Sequence, residues 1–164
     1  MQYQLITTFE HLEKVCEAAQ RQEAVALDTE FVRTKTLTPH LGLIQLYDGH
    51  QLVLIDPLAI DNMQPFVALL ENTEVVKVLH SCSEDLEAFL TAFDTVPTPV
   101  FDTQIAGSIL DMGPSLGYAK LVELQQGLAL IFEEDLGTTL MRLLSNMESA
   151  TLLLTNSSCW KRWD

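Results

Sequence analysis

The sequence predicts an α/β fold in which a mixed sheet is flanked by helices. Three strand-like runs follow one another, and the second and third are joined by Tyr47-Asp48-Gly49-His50, whose Asp-Gly pair is a strong hairpin signal. A later apolar run, Val75–Leu79, lies between two helical segments and is typical of a buried strand. An antiparallel meander continued by helix-linked strands gives a mixed sheet with helices packed against it.

The first half of the chain predicts one helix and the three strands of the meander. Thr7 or Thr8 can cap a helix over residues 9–20, where apolar residues repeat at helical spacing. The apolar face of this helix consists of Leu12, Val15, Cys16 and Ala19. The three strands are predicted at Ala24–Val32, Leu41–Leu46 and Gln51–Ile55, with Asp56-Pro57 ending the third.

The second half predicts helices on either side of the strand Val75–Leu79. A helix over about residues 63–71 precedes this strand, and Ser83 is a good N-cap for a helix over Glu84–Phe93 after it. The side chains expected to face inward from that helix are Leu86, Phe89 and Leu90. The remaining features are, in order, breaks at Pro97 and Pro99, regular structure over Phe101–Leu110, and a helix over 116–126 opened by Ser115.

The composition describes one acidic globular domain. The chain has 164 residues, enough for a sizeable core, and its hydrophobic content of 48% excludes a disordered chain. The net charge of −14 should repel phosphate backbones. If the protein acts on nucleic acid, divalent cations must neutralise its acids or basic surface must come from elsewhere; the alternative is an ordinary acidic soluble protein.

Membrane and secretion signals are absent from the sequence pattern. No apolar run reaches the roughly 18 residues that a membrane span needs. The first residues, MQYQLITTFE, lack the basic start and apolar core of a signal peptide, so we expect a cytoplasmic protein. Cys16, Cys82 and Cys159 are odd in number and widely separated, which favours reduced thiols over disulfides or a zinc site.

Two acids follow the apolar run at the start of the first predicted strand, Ala24–Val32. Residues i and i+2 of a strand share a face, so Asp28 and Glu30 point the same way. Two neighbouring carboxylates repel each other unless a proton or a metal ion lies between them. Hard oxygen ligands of this kind suit Mg²⁺ or Mn²⁺, although such pairs also occur on solvated strand ends.

A second acidic element follows the strand Val75–Leu79. His80 comes directly after this strand, and Asp85 falls in the first turn of the next helix. Asp85 therefore lies at the carboxyl edge of the sheet, where α/β proteins place their sites. Two alternatives stay open: Asp85 can simply pair with the helix N-terminus, and His80 can be a turn histidine with satisfied hydrogen bonds.

Taken together and in order, these elements resemble the ribonuclease D family. The segments that carry the resemblance are ALDTEFVRTKT, LGLIQL, LVLIDPL, VLHSCSEDLEAF and FDTQIA. Ribonuclease D is a member of the DEDD superfamily of 3′–5′ exonucleases, which has a ribonuclease H-like fold. The resemblance covers about residues 3–130, so residues 1–130 are predicted to be the exonuclease domain.

The resemblance implies roles for particular residues. Asp28, Glu30 and Asp85 would be the catalytic, metal-binding acids, with Asp28 bridging two Mg²⁺ or Mn²⁺ ions. Those predicted to contact substrate are Thr29, Phe31, Gln45 and His80. Asp102, in FDTQIA, is expected to support the structure of the site.

The implied activity is two-metal hydrolysis of RNA 3′ ends. It would release 5′-mononucleotides, and tRNA precursors are the expected substrates. A proofreading-type DNA exonuclease remains an alternative. We expect no protein partner and no membrane association.

The tail, residues 131–164, departs from the family pattern. The family's Tyr-x-x-x-Asp should fall near residues 151–155, where the chain reads TLLLT, and its Ser-x-x-x-Trp should fall near 135–139, where the chain reads DLGTT. Reading the codons for residues 150–155 from the third base of the Ala150 codon allows Tyr-Ala-Ala-Ala-Asp. The tail is therefore predicted to be either frame-disrupted or truly divergent, the latter giving an inactive remnant that binds metal or nucleic acid weakly. We expect the chain with this tail to be nearly inactive. We also expect it to lack the C-terminal HRDC domains of ribonuclease D.

Overall fold

A six-stranded sheet forms the centre of the fold in a computed structural model that describes residues 3–32 and 38–121. The strands are β1 (Tyr3–Ile6), β2 (Ala24–Val32), β3 (His40–Tyr47), β4 (Leu52–Ile55), β5 (Val76–Leu79) and β6 (Val100–Asp102). The helices are α1 (Phe9–Ala19), α2 (Gln64–Glu71), α3 (Ser83–Phe93) and α4 (Thr103–Ile109). The strand order across the sheet is β1-β4-β3-β2-β5-β6.

The sheet is mixed, as the sequence predicts. Strands β2, β3 and β4 form an antiparallel meander, and the Asp-Gly connection is the turn between β3 and β4. The outer pairs, β1 with β4, β2 with β5, and β5 with β6, are parallel. The predicted α/β class and the hairpin are confirmed, and the parallel pairing of β2 with β5 places the end of β5 beside the middle of β2.

Helices α1, α2 and α3 cover one face of the sheet and enclose the main core. Fully buried side chains of the strands, such as Leu27 and Ile44, pack there with Leu12 and Phe66 of the helices. On the other face, a smaller cluster around Val78 contains Leu121. The two faces therefore differ, and the described part of the chain buries most of its apolar side chains under the three helices.

The predicted helices form, but three of their details differ from expectation. Helix α1 buries the four predicted side chains, whereas Thr8 occupies its N-cap position without a side-chain capping bond. Ser83 is the first residue of α3 rather than its cap, and Cys82 takes the cap position. Leu90 was expected to face inward and is 51% exposed, because α3 turns Asp85, Ala88 and Phe89 toward the sheet.

Strand β1 has no counterpart in the sequence prediction. Three of its four residues are exposed, so it carries no alternating or buried pattern that a sequence reading could detect. At the other end, residues 118–121 are helical, and the rest of the predicted helix over 116–126 lies outside the described residues. The predicted tail, with its missing motifs and its reading-frame hypothesis, also lies outside them.

Two further features of the described residues are the lengths of the helices and the state of the thiols. Within residues 3–32 and 38–121, the helices are all too short or too polar to cross a membrane. Cys16 and Cys82 are buried free thiols, and burial raises the pKa of the Cys16 thiol to about 12. These two thiols are therefore protonated and poorly reactive at neutral pH.

Candidate active site

Asp28 and Glu30 lie on β2, at the centre of the sheet. Asp28 is paired in register with Gln45 of β3, and Glu30 is paired with Leu43. The β2–β3 register shifts between Glu30 and Phe31, so a bulge follows the second acid directly. Bulges bend a strand and redirect its side chains, and they are common beside active sites. The regular β2–β3 pairing therefore holds through both acids and changes register directly after Glu30.

Gln45 contacts the first of these acids. Its Nε2 donates a hydrogen bond of 2.9 Å to Oδ2 of Asp28. The glutamine side chain is only 1% exposed, and its Oε1 is buried without a hydrogen-bond partner in the described part of the chain. The sequence-based prediction that Gln45 binds substrate stays a prediction, and the contact that the structure describes is with Asp28.

Asp85 reaches the same strand from the first turn of α3. Both the backbone N–H of Thr29, at 3.1 Å, and its hydroxyl group donate to Oδ1 of Asp85. Thr29 and Asp85 are each 7% exposed, so these bonds satisfy a carboxylate that is almost removed from water. These bonds join the first turn of α3 to β2 at Thr29, the residue between Asp28 and Glu30.

Burial and neighbouring charge disfavour the ionised forms of the three acids. Burial, followed by the charges of Asp85 and Glu30, raises the pKa of Asp28 to about 7. Burial and the Asp85 charge raise the pKa of Glu30, and burial is the largest cause of a raised pKa at Asp85, with the Glu84 charge contributing. Asp85 therefore lies close enough to Asp28 and Glu30 for its charge to act on both, while their role as catalytic metal ligands stays a prediction.

His80 lies at the end of β5 and is held by a threonine. Its Nδ1 is 2.9 Å from Oγ1 of Thr103, whose hydroxyl donates to the carbonyl of Leu79 at 3.1 Å. The ring of Tyr118 meets the imidazole edge-on, with centroids 5.3 Å apart, and burial lowers the pKa of His80. A contact with substrate stays a prediction for this residue.

Asp102 ties the turn before α3 to the start of α4. Its carboxylate accepts backbone N–H bonds from Ser81 and Cys82, at 3.2 and 2.9 Å, and from Gln104 and Ile105, at 2.7 and 3.2 Å. Ser81 has a φ of 57°, a conformation that costs free energy outside glycine. The supporting role predicted for Asp102 agrees with these four bonds, which fix the turn that leads to Asp85.

Sequence reasoning missed two contacts of His80, and the role that it predicted for Phe31 is untested. No local pattern indicated that Thr103 and Tyr118 would meet His80, because these contacts join segments distant in the chain. Phe31, predicted to contact substrate, is half-buried and packs against the main core. Its predicted role stays a prediction.

The acids have the chemistry of a divalent cation site. Carboxylate oxygens are the ligands that Mg²⁺ and Mn²⁺ prefer, and a cation among these side chains would offset the repulsion that contributes to the raised pKa values of Asp28 and Glu30. Within residues 3–32 and 38–121, no group of three or more His, Cys, Asp or Glu side chains is arranged so that it could hold a metal ion. The oxygen donors of the acids suit such a cation by their chemistry alone, and Gln45 and Thr29 hold two of the carboxylates.

Comparison with known proteins decides the family. The model of a 3′–5′ exonuclease family matches residues 3–149, most of the chain. The chain belongs to the 3′–5′ exonuclease family. The resemblance predicted from ALDTEF and the later segments is thus confirmed, and the match extends beyond the predicted domain end at residue 130.

The related proteins are ribonucleases D. The chain is 60% identical to ribonuclease D of Serratia proteamaculans over 122 residues, which are 74% of this chain and 33% of that protein. It is 49% identical to ribonuclease D of Escherichia coli K12 over 130 residues, which are 79% of this chain and 35% of that protein. The chain thus spans about a third of the length of these relatives.

A solved structure confirms the fold. The crystal structure of Escherichia coli RNase D, described as an exoribonuclease involved in structured RNA processing, matches with a TM-score of 0.75 and 39% identity. The match covers 94% of this chain and 45% of that chain. The mixed sheet flanked by helices is therefore the catalytic-domain architecture of a ribonuclease D relative.

Proposed function

We propose that the chain carries the catalytic domain of a ribonuclease D-type 3′–5′ exoribonuclease. The observation that carries the proposal is the closeness of Asp28, Glu30 and Asp85, whose pKa values are all raised by burial, those of Asp28 and Glu30 also by the Asp85 charge. Clustered acids with perturbed pKa values are typical of catalytic sites. Membership of the 3′–5′ exonuclease family and the identity to ribonucleases D support the same reaction.

Asp28, Glu30 and Asp85 would hold two divalent cations, Mg²⁺ or Mn²⁺. When bound at such a site, these ions activate a water molecule and stabilise the leaving oxygen of a phosphodiester. Thr29 keeps the Asp85 carboxylate directed at β2, and the bulge after Glu30 ends the regular pairing beside it. The acids alone repel RNA, since the chain has a net charge of −14, so cations would be needed for substrate to approach.

The proposed substrates are RNA 3′ ends, with tRNA precursors as the expected class and 5′-mononucleotides as products. Two residues are proposed to contact the terminal nucleotide: Phe31, which follows Glu30 on β2, and His80, which comes directly after β5. We also propose a cytoplasmic location, which the free thiols of Cys16 and Cys82 support.

A non-catalytic remnant is the second candidate, and residues 151–155 favour it. They read TLLLT where the family pattern has Tyr-x-x-x-Asp, and the family match ends at residue 149. Resequencing the coding DNA across codons 130–164 separates two origins of this tail. A missing or extra base that restores Tyr-x-x-x-Asp identifies a mis-framed exonuclease, and a confirmed frame identifies a divergent tail.

The activity test uses RNA labelled at its 5′ end and a DNA strand of the same sequence. With Mn²⁺, we expect stepwise shortening of the RNA from its 3′ end, slow for the chain as written, and no shortening by the Asp28→Asn variant. Internal cuts, or equal cleavage by that variant, would contradict the proposal. Faster shortening of DNA would favour a proofreading-type enzyme, and Mn²⁺ binding without any cleavage would favour the remnant.

A further inference from the structure

Gln45 occupies a position where a polar side chain is costly. It lies on β3, a strand that is paired on both sides, and its neighbours Ile44 and Leu46 are fully buried. Its own side chain is 1% exposed, yet its amide has one hydrogen-bond partner among the described residues, and Oε1 is left without one. Because a buried unsatisfied carbonyl is unfavourable, packing alone does not explain a glutamine at this position.

Among the described residues, the side-chain hydrogen bond of Gln45 is directed at Asp28. The two residues face each other across the β2–β3 pair, and Nε2 donates 2.9 Å to Oδ2. The amide orientation follows from this contact, since the reverse orientation would place a carbonyl oxygen against a carboxylate. The donor is neutral, so it fixes the direction of the carboxylate without cancelling the charge that would attract a cation.

Thr29 acts on Asp85 in the same way. Its backbone N–H and its hydroxyl are both neutral donors, and both are directed at Oδ1 of Asp85. Two acids of the site are therefore oriented by uncharged groups, where a lysine or an arginine would compete with a bound cation. Partners of this kind orient metal-binding carboxylates in many proteins.

We propose that Gln45 is a positioning residue, which holds the Asp28 carboxylate in the orientation needed to bind a divalent cation. The inference rests on the cation site of the proposed function. Gln45 would thus act on the cation only through Asp28. Its Oε1 is left without a hydrogen-bond partner because the amide is turned so that Nε2 donates to the acid.

The test measures Mn²⁺ binding by titration calorimetry and the melting temperature without metal. Gln45→Met removes the donor at nearly constant volume. Gln51→Met is the matched control, because Nε2 of Gln51 donates to Oδ2 of Asp48 at 3.2 Å, in the turn between β3 and β4. We expect Gln45→Met to weaken Mn²⁺ binding about 10- to 100-fold, as loss of an orienting partner does elsewhere, with a metal-free melting temperature close to that of the unmodified chain. Gln51→Met should leave the affinity unchanged.

Each other outcome overturns part of the account. Binding by Gln45→Met within twofold of the unmodified chain removes the positioning role and leaves the cation site intact. If the unmodified chain binds no Mn²⁺, the cation site of the proposed function fails, and the role of Gln45 fails with it. If Gln45→Met and a second variant, Gln45→Leu, both melt far below the unmodified chain without metal, Gln45 serves the packing of β3, and the inference is wrong.

Discussion

Replacing Lys77 by methionine tests how the sheet accommodates a fully buried charge. Lys77 lies on β5, and its side chain is among the most buried of the described residues. Its Nζ donates to three backbone carbonyls, those of Asn72 at 2.6 Å, Val75 at 2.8 Å and Thr98 at 2.7 Å. The ammonium thus joins the loop before β5 to the loop before β6.

The expected loss combines two opposing contributions. Each carbonyl left without a donor costs about 1 to 3 kcal/mol, and we take the lower half of that range because Asn72 also accepts from the Val75 N–H at 3.3 Å. Three such carbonyls cost about 3 to 6 kcal/mol together. Burial lowers the pKa of Lys77 from 10.5 to about 8, which means that keeping the ammonium charged in the folded state costs about 3 kcal/mol. Removing the charge should therefore stabilise the folded state by about this amount. The net destabilisation of Lys77→Met should therefore be about 0 to 3 kcal/mol, or up to about 10 °C in melting temperature.

Urea unfolding at pH 7 measures this difference, with Lys14→Met of the exposed face of α1 as the control. The unfolded chain holds the Lys77 proton up to pH 10.5, whereas the folded chain releases it near pH 8. The unmodified chain should therefore gain stability relative to Lys77→Met as the pH rises from about 8 to about 10. A Lys77→Met variant more stable than the unmodified chain at pH 7, or a stability difference that stays constant or shrinks as the pH rises over this range, would refute the reasoning.

Three further predictions concern the site and the tail. Asp102→Ala should lower the free energy of unfolding by about 2 to 3 kcal/mol, because four N–H groups lose their acceptor. Burial raises the pKa of Asp102, but the bonds from Cys82, Ile105 and Gln104 outweigh it and lower the pKa, so the stabilisation should be present at neutral pH and lost as the pH falls through the folded-state value. A urea midpoint independent of the substitution would contradict this prediction. Thr29→Val keeps the shape and the backbone bond but removes the hydroxyl donor to Asp85, so Mn²⁺ affinity measured by calorimetry should fall about 10-fold or more, and unchanged affinity would argue against the contact. Thr151→Tyr combined with Thr155→Asp should recover little exonuclease activity unless the surrounding tail is rebuilt, and full recovery in the RNA assay would show that the tail already folds correctly.

Strongly patterned elements could be predicted from the sequence because their signals are local. Strand β2 has the predicted bounds, Ala24–Val32, and α1 buries the face that its spacing predicts. Strand β1 was missed because it lies at the edge of the sheet and is mostly exposed. Leu90 was misplaced because periodicity assigned the inward face of α3 to apolar residues, whereas Asp85 occupies part of it.

The acids could be named in advance, but their partners could not. Asp28, Glu30 and Asp85 stand out as carboxylates at strand and helix ends, and the family motifs reinforce them. The bond from Thr29 to Asp85 joins residues 56 positions apart, and the bond from Gln45 to Asp28 depends on the β2–β3 register. Contacts of this kind arise from tertiary packing, which no local pattern contains.

The melting temperature in Mn²⁺ tests most directly whether the acids form a cation site. At a concentration about 100 times the dissociation constant, binding should stabilise the unmodified chain by about 2.7 kcal/mol, which corresponds to about 5 to 10 °C. Asp28→Asn should abolish this rise, whereas Asp61→Asn, at an exposed aspartate outside the site, should retain it. A melting temperature that Mn²⁺ leaves unchanged, or a rise that survives Asp28→Asn, would contradict the assignment of Asp28, Glu30 and Asp85 as cation ligands.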